Sequence, residues 1–180
     1  MFNVDVRYLR PLFVAGLFCV SLKLNASPVV DVGFSPEGTA QQLVIQTLKS
    51  AGSNIRLMGY TFTSPEIVRE LVTAKRRGID VRVVLDDEGN RGRGSQAAIN
   101  TLLNAGIPLR TVSTFRIMHD KAIIVDNKTV STGSFNYTRS AARYNSENVI
   151  VIRDFPSLAQ KYLEHWQSRW SAGQDQHLSY

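Results

Sequence analysis

The sequence predicts an α/β fold, a mixed, largely parallel β-sheet flanked by helices on both faces, in a single domain. Three observations predict it. Between residues 29 and 112, short runs rich in Val, Ile and Leu alternate with stretches of helical period, as successive βαβ units do. After residue 120, two apolar runs meet at Asn127-Lys128 and read as a hairpin, which adds antiparallel strands. The stretch 156–172 then sets Leu158, Tyr162, Leu163, Trp166 and Trp170 on one face of a last helix.

Taken in order, residues 29–34 form a strand ended by Ser35-Pro36-Glu37-Gly38. Residues 39–51 carry Leu43, Val44, Thr47 and Leu48 at helical spacing, with Gly52 as candidate C-cap. A second strand spans 54–60. Ser64 caps the next helix and Pro65 takes its first position, where a missing N–H costs nothing; that helix stops at Gly78. Residues 79–85 are a β-branched third strand, and 86–94 a polar, glycine-rich loop. A helix over 95–105 ends at Gly106, and 108–112 make a short strand. The hairpin pairs 121–126 with 129–132, and 145–153 is the last strand. Trp166 and Trp170, four residues apart, read as core.

A chain of 180 residues with 43% hydrophobic composition suits one domain with a real core. Charged residues at 20%, interspersed with apolar runs, exclude disorder. A single cysteine excludes an internal disulfide, and no Cys/His spacing suits zinc. No apolar run reaches the roughly 18 residues of a transmembrane helix. Arg7 and Arg10, the apolar stretch 11–22 and Ala26 form a secretory signal, so residues 1–26 are expected to be removed and 27–180 exported to the periplasm or medium. The whole chain holds 21 Lys+Arg against 15 Asp+Glu. Loss of Arg7, Arg10, Lys23 and Asp5 leaves 18 against 14, a weaker hint of a polyanionic partner.

The chemistry concentrates in residues 119–147. At a period of two, His119 and Lys121 share one strand face, Ser134 and Asn136 follow Gly133 at the same spacing, and Asn145 and Glu147 repeat it. Three neighbouring strand ends thus aim an imidazole, a cation, a hydroxyl, an amide and a carboxylate at one volume. Lys121, Ser134 and Asn136 suit the non-bridging oxygens of a phosphodiester, whose charge must be held as a five-coordinate transition state forms. His119 is the candidate nucleophile on phosphorus, and Glu147 is expected to accept a hydrogen bond from its other ring nitrogen.

His119-x-Lys121-x4-Asp126-x6-Gly133-Ser134, followed by Asn136, resembles the HKD signature of the phospholipase D superfamily. Six fixed identities arise by chance on the order of once in 10⁸ starting positions, so the likeness is not coincidence. It extends through Gly33-Phe-Ser-Pro-Glu-Gly38, Ala74-Lys-Arg-Arg-Gly78, Asp87-Glu-Gly-Asn90, Asn145-Ser-Glu-Asn148 and Glu164-His-Trp-Gln167, and is strongest toward small bacterial endonucleases with one motif per chain. The resemblance implies a two-step displacement through a phosphohistidine, without metal or other cofactor. It makes His119 the nucleophile, Lys121, Ser134 and Asn136 the phosphate-binding set, and Glu147 the residue that orients His119. Asp126 and Gly133 belong to the motif; Asp126 falls on the face opposite His119 and is expected to be structural.

The family mechanism needs two histidines, and the motif occurs once. His165 and His177 lack its spacing, so a homodimer is expected, with the second copy of His119 as general acid and base. The expected partner is DNA, with RNA also admitted because attack by His119 needs no 2′-hydroxyl; no membrane association is expected after signal removal. Two other readings stand beside this one, a phospholipid phosphodiesterase and a noncatalytic nucleic-acid-binding protein. Asp86-Asp87-Glu88 read as a solvated loop ahead of a metal site. Arg91 and Arg93 are candidates to lie along a nucleic-acid backbone, and Arg139 and Arg143 to flank the site. Lys75-Arg76-Arg77 close a helix, where cations favour the dipole.

Overall fold

The computed structural model describes residues 27–178; the expected signal, with Cys19, lies outside them. The chain runs β1 (Val29–Ser35), α1 (Thr39–Lys49), β2 (Asn54–Gly59), α2 (Pro65–Arg76), β3 (Asp80–Asp86), a 3₁₀ turn (Glu88–Asn90), α3 (Arg93–Asn104), β4 (Leu109–Val112), β5 (Lys121–Val125), β6 (Thr129–Gly133), α4 (Arg139–Arg143), β7 (Glu147–Arg153), α5 (Pro156–Ala172) and β8 (Gln174–Asp175). One eight-stranded sheet results, in the order β1-β7-β6-β5-β2-β3-β4-β8.

The sheet is mixed and has helices on both faces, as expected, but the parallel share is smaller than the sequence pattern suggests. Among the described strands, β2–β3 and β3–β4 pair in parallel, and β1–β7, β7–β6, β6–β5, β5–β2 and β4–β8 are antiparallel. The reason is insertion. β1 runs in the same direction as β2, as a helical crossover requires. The later strands β5, β6 and β7 nevertheless fill the space between the two, so the alternation reports direction and not adjacency.

Each helix buries the stripe its sequence marks. Leu43, Val44 and Leu48 of α1, Ile67, Val68 and Leu71 of α2 and Ile99 and Leu102 of α3 pack with Leu57, Val83 and Ile123 into one core. On the other face α5 closes a smaller core of Met58, Val84, Val112, Met118, Ala122, Ile124 and Trp166. Trp166 is 2% exposed and its indole N–H donates to the Leu57 carbonyl at 2.9 Å, while Trp170 stacks on it at 5.0 Å. That N–H···O bond satisfies the one polar atom of a buried indole and pins α5 to the sheet centre.

Ser64 caps α2 as expected, accepting from the Ile67 N–H, with Pro65 in the first turn. Gly52 is not the cap of α1: the helix ends at Ser50, and the Gly52 N–H donates to Asp126 Oδ2 at 2.8 Å. The hairpin turn lies one residue earlier than expected, at Asp126 and Asn127, whose φ values of 52° and 55° put consecutive residues in the left-handed region favoured by tight hairpins.

Candidate active site

The site forms where strand ends converge. Lys121 opens β5 and pairs with Gly59, the last residue of β2; Gly133 closes β6 opposite Val149; Glu147 opens β7 opposite Ser35 at the end of β1. Strand direction and register therefore bring residues 119–121, 133–136 and 147 to one end of the sheet. His119, Lys121, Gly133, Ser134, Asn136 and Glu147 line a single open cleft of about 520 Å³.

Gly133 shows why no larger residue serves there. Its φ is 151°, and a Cβ would meet the Asn148 carbonyl oxygen at 2.2 Å. This close approach lets the Ser134 N–H donate to the same carbonyl at 3.1 Å and turns the chain out of β6.

Lys121 is 7% exposed, and its ammonium donates to the His119 carbonyl at 2.9 Å. Burial pushes its pKa below the ordinary lysine value, while Glu147 and Asp120 pull it back. The cation is thus held at the cleft floor with donor capacity to spare. His119 is exposed, and its ring lies 4.9 Å from that of Tyr60, which also stands 5.3 Å from the Lys121 ammonium. Tyr60 escaped the sequence reading, since nothing in a strand-terminal tyrosine marks it; the register Gly59 to Lys121 places it there.

The carboxylate of Glu147 is engaged differently from expectation. Its Oε2 accepts from the Ser134 hydroxyl at 2.5 Å and its Oε1 from the Asn145 amide at 2.9 Å. No hydrogen bond joins Glu147 to the His119 ring among the described residues. Ser134, in turn, accepts from the Asn148 N–H at 3.0 Å and from its side-chain amide at 3.3 Å. The single hydroxyl proton of Ser134 is spent on Glu147, so Lys121 and Asn136 are the donors left for a phosphate and Ser134 positions the carboxylate. The buried Oδ1 of Asn136 has no partner among the described residues, an acceptor open to a bound group.

Asp126 lies at the opposite end of β5, away from the cleft. It accepts from the N–H groups of Gly52, Ser53 and Asn54 and from the Ser53 hydroxyl, all at 2.8–3.0 Å. Burial raises its pKa, but these donors outweigh it and the net shift is downward. The motif aspartate ties the β5–β6 turn to the start of β2.

The segment 113–120 presents His119 and is anchored from two sides. The Met118 N–H donates to Asp86 Oδ2 at 2.7 Å, and the Met118 side chain enters the smaller core. Asp120 bonds His165 Nε2 of α5 at 3.0 Å and lies 3.9 Å from Arg169. Asp86 also accepts from the Gly89 N–H at 2.7 Å, while Asp87 pairs with Arg91 and accepts from Thr111. These two carboxylates are committed to holding loops.

The arrangement can bind a phosphodiester oxygen at Lys121 and Asn136 and present an imidazole to phosphorus. Known proteins resemble the chain in sequence and fold. Residues 44–170 match the family described as cardiolipin synthase, PLD-like domain. A phospholipase D of Rickettsia prowazekii is 36% identical over 140 residues, covering 78% of this chain and 67% of the relative. A mitochondrial cardiolipin hydrolase of Mus musculus is 35% identical over 127 residues, 71% of this chain and 56% of the relative. Among solved structures, the phospholipase D family member Nuc from Salmonella typhimurium superposes with a TM-score of 0.83 at 56% identity, covering 84% of this chain and 99% of that one. Motif, cleft and kinship converge, and the chain belongs to the phospholipase D superfamily, as one of its phosphodiesterases.

Proposed function

We propose that the chain is an exported, sequence-nonspecific endonuclease that hydrolyses DNA, and RNA as well, through a phosphohistidine, with one active site shared across a homodimer. The observation that carries the reading is the single cleft of His119, Lys121, Asn136 and Glu147. In it an imidazole, two phosphate donors and a positioned carboxylate face one volume. His119 attacks phosphorus and the P–O bond to the leaving group breaks. The second copy of His119 gives that oxygen its proton, then takes one from the water that releases the phosphate. A second histidine must come from another chain, because His165 is held by Asp120 on the α5 side. The exposed Val30, Val32 and Phe34 of the edge strand β1, beside Glu147, support an interface there.

The test is cleavage of plasmid DNA in excess EDTA by wild type and by His119→Ala. Persistence of wild-type cutting and loss of more than about 10⁴-fold in the variant are expected, together with an acid-labile phosphoenzyme. Retained cutting by His119→Ala refutes the reading. A phospholipid substrate is the second reading, favoured by the names of two relatives and by the exposed Phe115 and Ile117 beside His119. Faster turnover of cardiolipin or phosphatidylcholine vesicles than of DNA would select it.

A further inference from the structure

Several cations of the described residues are neutralised locally. Arg56 and Arg82 meet Asp80, Arg91 meets Asp87, Arg110 meets Asp175, Arg153 meets Asp31 and Lys128 meets Asp154. Seven exposed arginines have no ion pair within 4.0 Å among the described residues; Arg116 lies in the segment before His119 and Arg77 caps the end of α2, and the other five lie on α2, α3 and α4. Arg69 and Arg76 lie on α2, Arg93 opens α3, and Arg139 and Arg143 bound α4. The N–H groups of Thr63 and Ser64 donate to the Tyr137 carbonyl at 2.8 and 2.9 Å. This joins the start of α2 to the segment between Asn136 and α4.

Glu66 stands among these cations. Its carboxyl is held below the ordinary range by its own backbone N–H, against a burial penalty, and then by Ser64, Arg143 and Arg69. One carboxylate thus faces two guanidinium groups, and the patch keeps net positive charge. Between α2 and α3 runs a groove of about 440 Å³ whose lining includes Thr63, Arg69, Thr73, Arg76 and Thr101, and no carboxylate. Closing a helix does not account for Arg76, because that work falls to Arg77, which donates to the carbonyls of Lys49 and Ala51 at 3.0 and 3.3 Å.

We propose that the α2–α3 groove is a nucleic-acid subsite, in which a phosphate backbone leaving the His119 cleft passes over α4 and lies along Arg69 and Arg76. The inference rests on the nuclease reading and deepens it. Arg69 and Arg76 are about 10 Å apart along the helix axis, about three nucleotides of a stacked strand. Uncompensated guanidinium groups release counterions on meeting phosphate, whereas cations already paired to carboxylates gain little. The hydroxyls of Thr63 and Thr73 add neutral donors to phosphate oxygens, while that of Thr101 donates to the Ala97 carbonyl at 2.8 Å, and no element in the groove reads base edges.

The test measures binding of a fluorescein-labelled oligonucleotide to the full chain in the His119→Ala background, across a salt series. In Arg69→Gln/Arg76→Gln the slope of log K against log[salt] is expected to fall by about 1.4 for a single strand or about 1.8 for a duplex. Arg69→Lys/Arg76→Lys should restore it, with unchanged melting temperature in both. The control Arg82→Gln/Arg153→Gln should keep the wild-type slope. An unchanged slope, an equal fall in the control, or a loss confined to cardiolipin vesicles overturns the subsite. Wild-type DNA cleavage assayed alongside separates the two ideas: cutting with an unaltered slope sinks the groove alone, and a fallen slope without cutting sinks the nuclease reading alone.

Discussion

Lys121 and Asp126 belong to one motif yet act through opposite environments. Lys121 is desolvated at the cleft floor, and its depressed pKa means that its charge is lost at lower pH than for an exposed lysine. The alkaline limb of the pH–rate profile is therefore expected below the ordinary lysine value of about 10.4. Lys121→Met should cost about 10²–10³ in turnover, as loss of one transition-state donor does; a variant within fivefold of wild type would show that Lys121 does not hold the phosphate. Asp126 affects stability instead. Its folded-state pKa lies below the unfolded one, so its contribution is full above the unfolded value and disappears as pH falls through the folded one. Asp126→Asn is expected to lower unfolding free energy by about 2 kcal/mol near neutrality. The gap to wild type should narrow in acid, as urea titrations at several pH values would show.

At the scale of elements, the segment 113–120 has no regular structure of its own and takes its geometry from what grips it. Asp86 at the end of β3 holds Met118, and α5 holds Asp120 through His165 and Arg169. Arg169 also lies 4.7 Å over the Phe115 ring. His119 is flanked by both anchors, so their loss should loosen it without touching substrate. His165→Ala is expected to lower kcat about tenfold with little change in KM, because a misplaced reacting group raises the barrier more than it weakens binding. His165→Gln keeps a side-chain donor and should recover most of the rate. A KM effect alone, or no rescue by Gln, would contradict this positioning role.

At the scale of the whole molecule, the edge strand β1 holds the largest group of exposed apolar side chains on one element among the described residues. α5 covers the middle of the sheet through Met58, Val84, Ala122, Ile124 and Val130, while Val30, Val32 and Phe34 are 54%, 61% and 51% exposed. Across β7 they neighbour Ile152, Ile150 and Asn148. Sedimentation is expected to show a dimer, and Val32→Asp/Phe34→Asp a monomer with activity lost in parallel. A wild-type monomer with full activity would remove the second histidine from the mechanism.

Much of this was legible from residues alone. Local rules located α2 through Ser64 and Pro65, and α5 through its apolar stripe, because capping and period are properties of neighbours in sequence. The spacing of His119, Lys121, Ser134, Asn136 and Glu147 marked residues that meet in one cleft, but only Lys121 and Glu147 lie in strands; His119, expected on a strand with Lys121, precedes β5, and Ser134 and Asn136 follow β6. Only the tertiary structure decided which strands lie side by side, that Tyr60 backs His119, that Ser134 holds Glu147, and that Asp120 meets His165 across 45 residues. Those contacts depend on sheet order, which long-range packing selects among topologies that the same local pattern permits. The charge makes the same point. Composition supplies an excess of cations, but only pairing in space shows that most of the unpaired arginines lie along α2, α3 and α4.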